Sequence, residues 1–145
     1  EIGRSGALLT AEHGPHQRVI CIVTDAELPA DAPKAATAVC DGCSVCADLC
    51  PMHALGGETV AIDVGGVRVQ YPLVPRHRCD WSKRYSLCSE EGPGLIGSIT
   101  HVQVPDGALT IADVAEACKA KDPIMKSRTC ILERCLRHCP AGGRR

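Results

Sequence analysis

Apolar and polar positions alternate most regularly over residues 59–71 (TVAIDVGGVRVQY), on both sides of Gly65-Gly66. A period of two flanking a pair of glycines predicts a β-hairpin with a two-residue turn. Upstream, residues 18–23 (RVICIV) are apolar and mostly β-branched, which predicts a buried strand ended by Thr24-Asp25. Helical signals are short. Thr110-Ile111-Ala112-Asp113 has the form of a capping box, and the helix it opens would turn Ile111, Val114, Ala115 and Cys118 inward until Pro123 closes it. Asp80 is placed to cap another helix carrying Trp81, Tyr85 and Cys88 on one face, with Gly92-Pro93-Gly94 as its end. A last short helix would carry Cys130, Cys135 and Cys139 up to Pro140. The expected class is α+β: a hairpin, short helices and long loops.

Composition changes this picture in one respect. The chain of 145 residues has no Phe, one Trp and two Tyr. Large rings normally supply much of a core's buried area, so something else must fill and staple this interior. The length suits one domain or a domain with an appendage. The formal net charge of −1 gives no reason to expect nucleic acid as a partner. No segment approaches the ~20 apolar residues that span a bilayer. Glu1 stands where a Met would mark the start of translation, so a longer product is expected. No signal segment is visible, which favours the cytoplasm, although an incomplete N-terminus leaves the compartment open.

The staple is cysteine, of which there are eleven. A disulfide scaffold prefers an even number and a smaller secreted chain. A zinc site uses paired Cys or His knuckles. Residues 40–51 match neither, because Cys40, Cys43, Cys46 and Cys50 followed by Pro51 make C-x2-C-x2-C-x3-C-P. That is the bacterial ferredoxin run, in which three thiols reach three corners of one [4Fe–4S] cube and the fourth serves a second cluster. Gly42, Ser44 and Ala47 are small enough to let backbone N–H groups approach the sulfurs. The echo near the carboxyl end, Cys130-x4-Cys135-x3-Cys139-Pro140, is one cysteine short, and Cys79, outside any run, is chosen to complete it. By the cross-over rule one cluster takes Cys40, Cys43, Cys46 and Cys139, and the other takes Cys50, Cys79, Cys130 and Cys135. Cys21, Cys88 and Cys118 are left as buried thiols, with Cys88 the first substitute for Cys79 or Cys130.

The residues before the first run carry a resemblance. Residues 1–10 (EIGRSGALLT), Gly14-Pro15 and the segment 18–25 resemble the part of reductive dehalogenases, and more loosely of epoxyqueuosine reductases, that joins a corrinoid-binding domain to a two-cluster ferredoxin domain. The family pattern is G-R-x-G-x-L, a strand ending in Thr-Asp, the C-x2-C-x2-C-x3-C-P run, a lone Cys followed by an aromatic, and a final C-x2-C-x3-C-P. Cys79 with Trp81 matches the lone cysteine. The spacing C-x4-C at Cys130 and Cys135 departs from the pattern and bears on Cys130. The resemblance implies a dicluster domain over 39–145 with an insert at about 90–126, preceded over 1–38 by the end of a corrinoid-reductase domain. It implies electron delivery to a cobalt centre, with a corrinoid only on a partner or a preceding domain.

The expected function is therefore electron transfer within a larger oxidoreductase. Electrons would enter at the Cys50/Cys79/Cys130/Cys135 cluster and leave from the Cys40/Cys43/Cys46/Cys139 cluster. A redox protein or catalytic subunit is the expected partner. A ferredoxin-like subunit of an unrelated redox complex and a metal-stabilised structural module are the alternatives. His53 and His77 are read as ordinary turn and surface histidines, and Arg134, Arg137, Arg144 and Arg145 as a basic end balancing cluster charge, a docking patch or a solvated face. No Ser-His-Asp array, zinc-protease motif or phosphate-binding glycine loop is present, so no catalytic residue is assigned.

Overall fold

The computed structural model describes residues 1–31, 39–88, 100–121 and 133–142. Cys130, Gly92-Pro93-Gly94, Pro123, Arg144 and Arg145 lie outside them. The described elements form a small α+β arrangement with one two-stranded antiparallel sheet. Strands β1 (Thr59–Val64) and β2 (Val67–Pro72) pair from Thr59 with Pro72 to Val64 with Val67. Gly65 and Gly66 make the turn with φ of 55° and 80°. Two consecutive left-handed residues match the right-handed twist of the strands, and glycine adopts them without steric cost. The hairpin stands largely in solvent, and its base is tied by the Leu73 N–H donating to Glu58 O at 2.7 Å.

Helix α1 (Val45–Asp48) is a single turn inside the first cysteine run and gives way before Pro51. Helix α2 (Arg76–Lys83) starts and ends earlier than the sequence suggests, so it carries Trp81 but leaves Tyr85 and Cys88 beyond its end. Pro75 precedes it, so Asp80 is no cap; it lies mid-helix beside Arg76, at 3.6 Å. Proline presets φ and gives up no useful donor at a helix start, which outweighs a later Asp. Helix α3 (Ile111–Ala117) has the anticipated capping box: the Thr110 hydroxyl accepts the Asp113 N–H, and the Asp113 carboxylate accepts the Thr110 N–H at 2.8 Å. Its inner face differs. Val114 and Ala117 are buried, whereas Ile111 is 61% exposed and Ala115 lies outside. Seven residues make only two turns, and the side facing α2 is set by packing. A 3-10 turn, Cys118–Ala120, follows. Helix α4 (Arg134–Arg137) lies beside α1.

The core gathers where α2 meets α3. Trp81, Met52, Leu87, Cys88 and Val114 are buried there, with Tyr85 and Cys118 packed against them. Arg78 ties α2 to the chain just past Pro51 and to the loop before α3, its guanidinium donating to Met52 O and Gly107 O, both at 3.1 Å.

Residues 18–23 form no strand. Val19, Ile20, Ile22 and Val23 are 65 to 98% exposed, and Cys21 is exposed with them, so the expected buried strand and buried thiol are both corrected. A strand needs a neighbour to take its N–H and C=O groups, and among the described residues no other strand pairs with this segment. The residues before it are anchored. Thr10 and Gly14 exchange backbone hydrogen bonds, and the Glu1 and Leu9 backbones are joined.

Candidate functional site

The first cysteine run is held open by polar contacts from the chain start. The Glu1 carboxylate accepts the Val39 N–H at 2.8 Å and the Cys40 N–H at 3.3 Å. The Arg4 guanidinium donates to Gly42 O at 2.7 Å. The Asp41 carboxylate accepts the Cys43 N–H at 2.9 Å, which holds its pKa below the usual value. Gly42 supplies φ of 77° where the loop reverses.

Cys40, Cys43, Cys46 and Cys139 line one cavity of about 120 Å³, walled also by Arg4 and Ser5. Cys50, Cys79 and Cys135 line a second of about 120 Å³, with Ser5, Lys83 and Glu133 in its wall. The packing of α1 on α4 explains the exchange. Each short helix is followed by a Cys-Pro pair, and each trailing cysteine, Cys50 or Cys139, lies across from its own run. Cys79 reaches the second cavity from the middle of α2. Cys88 is buried in the core and lines neither cavity, and Cys118 is half-buried against the same core.

Backbone amides and burial act on the cavity thiols in opposite directions, and at Cys43 and Cys46 the net effect raises the thiol above its ordinary value. Burial pushes the Cys46 thiol up, opposed by the Ala47 N–H pointing at its sulfur. At Cys43 the Val45 N–H pulls the thiol down, but Asp41, burial and the neighbouring Cys139 together raise it. The Ala54 N–H donates to Cys50 Sγ at 3.4 Å. Amides aimed at sulfur on three of these cysteines stabilise negative charge there. Among the described residues, no three His, Cys, Asp or Glu side chains converge closely enough for a single metal ion. Among the described residues, four thiols line the first cavity and three line the second.

Sequence reasoning missed four contributors. Glu1, Arg4 and Ser5 were part of the quoted resemblance but had no assigned role; residues 4–7 prove to fold over both cavities. Lys83 follows Cys79 by one helical turn, so helical spacing alone places both on one face of α2. Its ammonium meets the Glu133 carboxylate at 3.1 Å. Burial pulls the Lys83 pKa down, but Glu133 and the charges of Cys79 and Cys135 outweigh it and raise the value. His53 is an exposed turn residue with φ of 48°.

Over 60 residues the sequence is 40% identical to the tetrachloroethene reductive dehalogenases of Desulfitobacterium hafniense and Dehalobacter restrictus. The match takes in 40% of this chain and 11% of each relative, so the chain spans only a small part of the proteins it matches. It supports a relation to reductive dehalogenases over that part. No protein-family model matches the chain, and no solved structure matches it. Among the described residues no helix is long and apolar enough to cross a membrane.

Proposed function

We propose that the chain is a dicluster ferredoxin-type electron-transfer module of a reductive-dehalogenase-like oxidoreductase. The observation that carries this reading is the division of cysteines between two cavities of like size, each run giving up its last member to the other. Cys40, Cys43, Cys46 and Cys139 would hold one [4Fe–4S] cluster. Cys50, Cys79, Cys135 and Cys130 would hold the other. Bound there, such clusters store and release single electrons. The protein's own part is to supply thiolates, aim backbone N–H groups at sulfur and offset charge with Arg4 and Lys83. In this reading 39–145 is the dicluster domain with an insert at about 90–126. Segment 1–38 connects it to a preceding domain, with residues 4–7 folded over the cavities. A corrinoid would belong to that domain or to a partner, since the cysteine cavities are far too small for one.

Purified without oxygen, the protein is expected to hold about eight iron and eight sulfide per chain. Zinc in their place, or neither iron nor sulfide, would refute the cluster assignment. The match takes in only 40% of this chain, and a second reading is a ferredoxin-like subunit of another redox complex, with the same cavities and a different acceptor. Corrinoid analysis of the intact assembly separates the two: its absence favours the second.

A further inference from the structure

Beside the second cysteine cavity lies an open groove of about 830 Å³ between residues 15–18, the end of α2 and helix α4. Lys83, Glu133 and Leu136 line both spaces, so a single layer of side chains separates them. Three exposed guanidinium groups, Arg18, Arg84 and Arg137, border the groove and have no ion-pair partner among the described residues. The two carboxylates among its described lining residues are already engaged, Glu133 with Lys83 and Asp80 with Arg76. The unmatched charge is therefore positive, on a chain whose formal net charge is −1.

We propose that this groove docks an acidic electron-donor protein, which delivers electrons through the thin wall into the second cysteine cavity. The inference rests on the cluster reading of that cavity. Complementary charge steers diffusional encounter and raises association rates, and redox encounters typically use small, weakly held interfaces. Cations on three separate chain segments, spread along a broad open trough, match a surface carrying several Asp and Glu side chains. One electron leaves the donor and enters the cluster, and no bond forms or breaks.

The test uses the cluster-loaded, full-length protein with reduced flavodoxin as the acidic donor and reduced methyl viologen, a cation, as the control. Arg18→Glu/Arg84→Glu is expected to slow electron uptake from flavodoxin at low salt by roughly tenfold or more. It should also flatten the ionic-strength dependence. Uptake from viologen should be no slower and iron content unchanged. Arg18→Gln/Arg84→Gln should fall between, and it carries the test if the glutamate pair loses iron. Unchanged flavodoxin rates with iron retained would overturn the groove and leave the clusters standing. A parent protein lacking iron and sulfide would overturn both.

Discussion

Cys43 and Cys118 show how differently two half-buried thiols can be placed. Cys43 faces a cavity with three other cysteines, whereas Cys118 rests against the apolar core. Under the cluster proposal, Cys43→Ala is expected to remove about half the iron, because one cubane loses a ligand. Cys118→Ala should keep all of it, and iron counting on the two variants reads the difference. Gly14 is a less obvious dependency. Its φ is 54°, and a Cβ there would lie 1.9 Å from the carbonyl oxygen of Ala141, which lines the first cavity. Gly14→Ala is expected to destabilise by more than about 2 kcal/mol, since strain and a backbone clash add. The checks are a lowered melting temperature and a drop in iron content.

At the scale of elements, the hairpin and α3 are set locally and can be tested locally. Gly66 has nothing within 4 Å of a built Cβ, so a substitution there meets backbone strain alone. Gly66→Ala should cost about 1–2 kcal/mol, while Gly65→Asn should be close to neutral because Asn tolerates the left-handed region. Thr110→Ala removes the side-chain acceptor at the start of α3 and should cost about 1 kcal/mol. Chemical denaturation of the iron-loaded protein measures all three. Helices α1 and α4 are different: each is a single turn, too short to persist alone, and each depends on the other and on the cysteines around it.

For the whole molecule, the described core is small and rests on Trp81, Met52, Leu87 and Val114, without a single Phe in the chain. A core this poor in rings is a weak driver of folding, and under the cluster proposal the free energy of binding metal becomes folding free energy. Removing iron with a chelator is expected to abolish the cooperative thermal transition. Trp81 is the sole tryptophan and is 1% exposed, so its fluorescence reports the core directly and should shift to the red. A cooperative transition that survives chelation would contradict this dependence.

Sequence alone determined whatever depends on neighbours along the chain. The hairpin at Gly65-Gly66, the capping box at Thr110 and the turn inside the first cysteine run follow from spacing and from the conformations that Gly, Thr, Asp and Pro permit. The stop before Pro51 belongs with them. What residues 18–23 do was not written there, because a strand exists only with a partner. The inner face of α3 was decided by contact with α2, not by its own periodicity. Tertiary structure also brought Arg4 and Ser5 over the cavities, beside Cys139 and Cys135 from the far end of the chain, and set Lys83 against Glu133. Such placements minimise the energy of the folded whole, and no local run of residues encodes them.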